Sequence, residues 1–450
     1  MLRKILLALL IVFCIAFGVG LYIFFFRPEL LSTIIPAQTT GNNQSPWFFP
    51  FNRLTPGVDV PAPIATTTRQ EPNQQIPQQV KRPRLFQVYD KPVSGFYASS
   101  TSATSSTVRF VDRGNGHIYE TNLQTGAMVK ISNTTLPKVY TAMFSPSGNN
   151  AILGFLRDGD TNPTHTILNI QTIKPVLSRI SSSVAPTRTA ATTTATSTLG
   201  LGLPRTTETT HTVKPTISSR DILSYITAPQ SERFVAVRTV NSGITLSLGS
   251  LSNPLVSQQI FQSPLPLWNI DWPTEEFLVL TTKASGRSGG YAYTLNTRTR
   301  VFDKVISNVL GLTTKMSKDG AKILFSESRG RIVQTKVYSL KDGNVLDTVL
   351  GTVANKCAWS RVRLYEVICA VPSTPLGNLM PDDWYKGTVS FDDKLWYLNT
   401  QTGETVLLSD LYDEAKQEID VLDPVFDPRE NYLVFMNKQD LTLWALDLND

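Results

Sequence analysis

The chain repeats a phrase: an aromatic or apolar residue, a short polar turn, then an apolar strand. It reads Phe144-Ser-Pro-Ser-Gly148, Trp272-Pro-Thr-Glu275, Met316-Ser-Lys-Asp-Gly320, Trp359-Ser360 and Phe426-Asp-Pro-Arg429. The copies at 272, 316 and 359 recur about every 44 residues, the period of a four-stranded propeller blade. A second phrase marks a hairpin late in each unit, as in Tyr119 to Gly126, Leu168 to Thr172, Tyr293 to Arg298, Tyr338 to Gly343 and Tyr397 to Gly403. Each ends a strand in Asn or Asp followed by Gly or Thr, which is the chemistry of a tight hairpin.

Aligned together, the two phrases give seven units, at about 93–132, 136–178, 217–262, 265–307, 309–350, 353–409 and 419–450. The last lacks an outer strand. Leu85 to Tyr89, a strand-like segment just before the first unit, can supply it and close the ring, which matters because an open ring leaves two sheet edges unpaired. The fold class expected is therefore all-β, a seven-bladed β-propeller over 84–450 sealed by an N-terminal strand.

What precedes the propeller differs in kind. Ile5 to Phe26 is an uncharged apolar run of about 22 residues, long enough at roughly 1.5 Å per residue to span a bilayer core of about 30 Å. Arg3 and Lys4 before it favour a cytoplasmic N-terminus with the rest exported. Residues 1–27 thus read as a signal-anchor transmembrane helix, which makes the membrane a partner and places the C-terminal domain outside the cytoplasm. Residues 28–83, rich in Pro, Thr and Gln, read as a disordered, extended stalk.

Two insertions break the period. The first, about 179–216, is rich in Ser and Thr and reads as disordered, joining one blade's outer strand to the next blade. The second, about 373–392, joins the second and third strands within a blade. On that reading both leave the same face of the disc, opposite the stalk.

The blade turns resemble those of the WD-repeat-like propeller family typified by TolB-like proteins, in which an aromatic-Ser-Pro-Asp-Gly turn joins the first two strands. Phe144-Ser-Pro-Ser-Gly148 and Ser317-Lys-Asp-Gly320 match best, while Thr227-Ala-Pro-Gln230 and Trp359-Ser-Arg-Val362 depart from the pattern. The resemblance covers about 85–450. It implies a fold and a tendency to bind proteins, and it carries over no catalytic residue. With its anchor and stalk the whole chain is similar to membrane-anchored bacterial envelope proteins.

Chemistry is sparse. The formal charge is +6 and the basic residues are scattered, which argues against nucleic acid as a partner. The three histidines have no metal-ligand spacing, no nucleophile elbow is present, and no cofactor motif appears. Asp158, Asp160 and Asn162 alternate as in the opening of a calcium loop. Pro163 stands where that loop wants Gly and Asn169 where it wants Glu, so a solvated turn is the better reading. Cys357 and Cys369 face each other across the first hairpin of the sixth unit and are read as a disulfide, with two buried thiols as the alternative. Trp268, Trp272, Trp359, Trp396 and Trp444 fall in strands and are expected between blades.

The second insertion is the best candidate site. Asp382, Asp383, Trp384, Tyr385 and Phe391 combine aromatic surface with carboxylates, a mixture suited to a protein or a cell-wall polymer. The competing reading is a lid that buries its aromatics on its own blade. The function expected is a noncatalytic binding or assembly platform. The alternative is a glycan hydrolase or lyase working in the central channel.

Overall fold

A computed structural model describes residues 82–102, 105–157, 163–173, 210–219, 222–241, 243–374 and 377–449. Within it the chain forms seven antiparallel four-stranded sheets arranged as a propeller. The compact unit Gln79–Asp450 contains all of them. Residues 1–81, which take in the expected anchor and all but the last two residues of the expected stalk, lie outside the described residues, and among the described residues no helix is long and apolar enough to cross a membrane.

The last blade is closed from the other end of the chain. Leu85–Tyr89 pairs with Leu443–Asp447, matching Leu85 to Leu446, Phe86 to Ala445 and Gln87 to Trp444. Leu85, Phe86 and Val88 are buried there, so the sealing strand contributes side chains as well as backbone bonds.

The core is distributed between blades. Ala358, Ile368 and Leu395 of blade 6 pack against Phe426, Leu433 and Trp444 of blade 7, and Val108 and Phe110 of blade 1 pack against Val434 and Phe86 of blade 7. Second strands are covered on both faces by neighbouring sheets, so they read as continuous apolar runs. Tyr432–Asn437 and Asn150–Phe155 are buried at every position. The first strands of blades 1 and 2, of blades 2 and 3, and of blades 6 and 7 touch near the axis. Between blades 1 and 2 the approach is close enough that a Cβ at Gly95 would lie 2.0 Å from the Ala142 carbonyl oxygen.

The repeated phrase forms the turn between first and second strands, with Gly148 and Gly320 at positive φ. These turns also bind each other. Glu275 of blade 4 accepts from the Gln230 and Ser231 backbone N–H groups of blade 3 at 2.9 and 2.8 Å. Glu232 of blade 3 accepts from Ser147 and Asn150 of blade 2 at 3.2 and 2.8 Å. Glu430 of blade 7 accepts from Ser360 and Val362 of blade 6 at 2.9 and 3.1 Å. A glutamate in one turn therefore clasps the turn of the preceding blade, a link that the phrase alone does not reveal.

Successive strands alternate in direction, so connections alternate between two faces. First-to-second and third-to-fourth connections lie on what we term the lower face. Second-to-third and blade-to-blade connections lie on the upper face. The sealing strand is an outer strand that leads into blade 1 at the upper face, so the chain enters it from the lower one.

Residues 179–209 of the expected Ser/Thr-rich insertion lie outside the described residues, and the end of the stretch departs from expectation. Thr210–Ser219 is not a lead-in to blade 3. It is the outer strand of blade 2, running antiparallel to Thr164–Ile173 with Ile173 opposite Thr210 and His165 opposite Ser219. Pro215 hides the strand in the sequence, yet an outer strand has one unpaired edge and tolerates proline. The connection thus leaves blade 2 between its third and fourth strands, on the lower face, and blade 3 begins at Ile222. The two insertions leave opposite faces, and only 373–392 rises from the upper one.

Candidate functional site

After the second strand of blade 6, Glu366–Pro372, the chain crosses the upper face before returning as the third strand, Asp393–Asn399. Its one helical turn, Asp382–Tyr385, is fixed by carboxylates turned inward to backbone. Asp382 accepts from the Gly286 N–H of blade 4 at 2.7 Å. Asp383 accepts from Leu379 N–H at 2.9 Å. Arg331 of blade 5 donates to Asn378 at 2.7 Å. The insertion therefore lies over blades 4 and 5 as well as its own.

Beneath it Trp384 and Phe391 are buried, 1% and 2% exposed, with Met380, Val333 and Val353. Neither is presented to a partner, and the expectation of an aromatic docking surface is corrected for both. The reason is a polar group underneath. Asp420, fully buried before the first strand of blade 7, accepts from Trp384 Nε1 at 3.0 Å on each oxygen, from Ser390 at 3.1 Å and from the Phe391 N–H at 3.2 Å. A buried carboxylate needs such donors, and the indole supplies one while filling the apolar space.

The same pocket encloses Lys356 and Asp393, each 0% exposed. Lys356 Nζ lies 2.6 Å from Asp393 Oδ2 and contacts Asp420 Oδ1. It sits 5.1 Å from the Trp384 ring centre and 5.2 Å from that of Phe391. Asp393 accepts from the Val421 N–H at 2.7 Å through Oδ2, and its Oδ1 is buried with no hydrogen-bond partner. Burial raises the Asp393 carboxyl to about 6, although Lys356 opposes the rise. Lys356 and Asp420 carry no motif in the sequence. The available signal is that Asp393 shares its strand face with Leu395, where alternation asks for an apolar residue.

Tyr385 is the exposed member of the set. The residue is 45% exposed and its hydroxyl donates to Asn355 Oδ1 at 2.8 Å. Burial of the hydroxyl end, with Asp423 nearby, raises its pKa. Tyr385 walls a cleft of about 260 Å³ together with Leu267, Trp268, Asn269, Lys283 and Asn355. Because it is bounded where the first strands of blades 4 to 6 begin, the cleft opens at the upper mouth of the channel. Trp268, expected between blades, is only half-buried. It forms one wall, braced edge-on by Phe261, Tyr293 and Phe302. Leu265 and Leu267 beside it are about half-exposed.

Deeper in the channel stand charges from different blades. Lys315 and Asp271, on the first strands of blades 5 and 4, approach to 3.9 Å. Asp423 projects from a break in the pairing of blade 7. Although the residue is exposed toward the channel, the crowding of its carboxyl by the channel walls raises its pKa, with Lys315 opposing and Asp271 reinforcing the rise. Lys318, in the lower turn of blade 5, is brought down to about 8 by burial and by Lys315, and Arg361 of blade 6 adds to the effect.

The remaining candidates are quickly placed. Cys357 and Cys369 are directly opposed on the first two strands of blade 6 and joined by a disulfide, with Cα atoms 4.1 Å apart. Asp158, Asp160 and Asn162 lie outside the described residues. Among the described residues no three His, Cys, Asp or Glu side chains are grouped to hold a metal ion. His165 is buried against Tyr225, and burial lowers its pKa.

No protein-family model matches the chain, and no curated protein is similar to it in sequence. Among solved structures it is similar to the β-propeller domain of Myceliophteria thermophila Cps50 (Swd1), at 11% identity over 81% of this chain and 99% of that one, with a TM-score of 0.47. It is similar to oligogalacturonate lyase from Vibrio parahaemolyticus at 9% identity over 82% and 98%, with a TM-score of 0.46. For TolB from Acinetobacter baumannii the values are 15%, 78% of each chain and 0.37. Likenesses this distant say nothing about activity, and the seven-bladed architecture stands on the strand pairing itself.

Proposed function

We propose that the protein is a noncatalytic binding platform, tethered by Ile5 to Phe26 outside the cytoplasmic membrane, that engages a protein or cell-wall polymer through the upper-face cleft. One observation carries the reading: Trp268, Leu267 and the exposed face of Tyr385 form an apolar wall beside the polar Asn269, Asn355 and Lys283. Flat apolar surface with a few fixed polar groups suits recognition of a polymer segment or a protein loop. A photo-crosslinking residue at position 267 of the full-length protein in its native membrane tests this. Capture of a macromolecule is expected, and Trp268→Ala or Tyr385→Ala should abolish it. Capture that survives both substitutions, or no capture at all, overturns the cleft as the docking site.

The charged channel supports a second reading, a glycan hydrolase or lyase. With Lys318 held near 8, it would accept a proton close to neutral pH, while Lys315 and Arg361 would offset the charge of an acidic sugar. Release of shorter products from acidic oligosaccharides, lost in Lys318→Met, would displace the first reading. An intact substrate after prolonged incubation rules the second one out.

A further inference from the structure

Three ionisable groups share the dry pocket under the insertion, and they are not equivalent. Lys356 Nζ touches a carboxylate oxygen on each side, 2.6 Å away on Asp393 and in contact on Asp420. Both oxygens of Asp420 are provided with donors from Trp384, and Ser390 and the Phe391 N–H add more. Asp420 is the acceptor in every one of these bonds, which is the geometry of a proton acceptor. Asp393 has only Lys356 and the Val421 N–H, both on Oδ2, and its buried Oδ1 has no partner. Among the fully buried groups one cation faces two carboxylates, a costly surplus of negative charge that the half-buried Lys438, 5.2 Å from the Trp384 ring centre, offsets in part.

We propose that Lys356 and Asp393 condense into an intramolecular amide, with Asp420 as the proton acceptor. The step begins with Asp393 protonated on Oδ1, a state that burial favours by raising its carboxyl to about 6. Asp420 takes a proton from the Lys356 ammonium, and the freed amine attacks Asp393 Cγ. The Val421 N–H faces the oxygen on which negative charge develops, as a stabilising donor must. The C–O bond to Oδ1 then breaks, and the leaving hydroxyl takes the second proton from nitrogen and departs as water. Of the four protons on the two reacting groups, one remains on the amide nitrogen, two leave in water and one stays on Asp420. Nothing is oxidised or reduced, and the two charges with which the step starts, on Lys356 and Asp420, disappear. Enforced contact supplies the effective concentration that two free groups lack. The lids of Trp384 and Phe391 keep out water that would hydrolyse the product. The bond would tie the chain just before the first strand of blade 6 to the start of the third strand, next to the Cys357–Cys369 bridge.

Peptide mapping of the full-length protein, unfolded, reduced and digested, decides the matter. The Lys356 and Asp393 peptides are expected as one branched species lighter than their sum by one water, with no cleavage after Lys356. Asp420→Asn should leave the two peptides separate, whereas Lys438→Met, which alters a neighbour outside the step, should retain the branch. Separate wild-type peptides of unmodified mass overturn the proposal. A branch to Asp420, or a branch that persists in Asp420→Asn, overturns the roles assigned. The wild-type map is decisive even where a variant fails to fold.

Discussion

Trp384 is where a lid and a docking surface give opposite results. Trp384→Ala empties a fully buried indole site, which typically costs about 3–5 kcal/mol. Trp384→Phe isolates the polar part: most of the packing remains, but both Asp420 oxygens lose the Nε1 donor 3.0 Å away. Stripping a donor from a buried acceptor costs about 1–3 kcal/mol. The insertion is held to blades 4 and 5 by a few bonds, including those of Asp382 and Asn378, so the loss should appear first as local opening and not as global unfolding. Native-state hydrogen exchange over 377–392 reads it directly. Trp384→Phe should speed exchange there about 10-fold or more, since about 1.4 kcal/mol is a factor of ten. Tyr385→Ala gives up one hydrogen bond to Asn355 at an exposed position and should change exchange by less than that. If Trp384→Phe leaves exchange over 377–392 unchanged while Tyr385→Ala accelerates it, the indole is not what holds the insertion down.

Two further predictions concern the ring. Removing residues 1–89 takes away Leu85, Phe86 and Val88, each worth about 1.5–3 kcal/mol of burial, and bares an edge of blade 7. The truncated protein should self-associate in light scattering, and an added peptide spanning 82–90 should restore the monomer; a stable truncated monomer refutes the seal. Glu275 sits below its ordinary pKa, because although burial raises it, bonds from Arg233, Ser231 and the Gln230 N–H together outweigh burial. A depressed folded pKa gives stability that is present above the unfolded value of about 4.3 and is lost as pH falls through the folded one. Glu275→Gln should cost about 1 kcal/mol at neutral pH, with the gap to wild type closing in acid denaturation curves, and a pH-independent gap refutes the clasp.

Much of the scaffold was legible because its causes are local. The Ser-Pro-Ser-Gly148 turn, the apolar run of Tyr432–Asn437 and the missing outer strand of the last unit each declare themselves within a few residues, and blade count and closure follow. Pro215 marks the limit of that logic, since its tolerance depends on the strand lying at an edge. The site was legible only as a place. Asp382-Asp383-Trp384-Tyr385 announced an interruption on the upper face, but the fate of Trp384 depends on Asp420, 36 residues away on the next blade. Lys356 and Asp420 are a lone lysine and a lone aspartate in the sequence, and Asp271, Lys315 and Asp423 meet only because the ring closes. Trp268 looked like core since it lies in a strand, yet it begins that strand at the open mouth, where one side has no neighbour.

The buried cluster also gives the insertion a physical purpose that differs from docking. A lid that only filled space would need no charge beneath it, and an ion pair alone would balance with one carboxylate. The second carboxylate leaves the fully buried groups with more negative than positive charge, which half-buried Lys438 offsets only in part, and it completes a set of reactants. The two cases differ in their response to acid. As a free carboxyl, Asp393 would have a folded pKa near 6, above the unfolded value of about 3.9. Its ionised form would then destabilise the fold above 6, and the penalty would be relieved as pH falls from 6 toward 4. Condensed with Lys356 it no longer titrates, and that relief is absent. The clasp at Glu275 moves stability the other way, and lower down the scale. His165, whose lowered pKa removes stability on acidification in either form, cancels in the difference between wild type and Asp393→Asn; a difference that stays constant from pH 7 to 5 therefore belongs to the covalent form, while a wild-type gain on acidification that Asp393→Asn removes belongs to the ion pair.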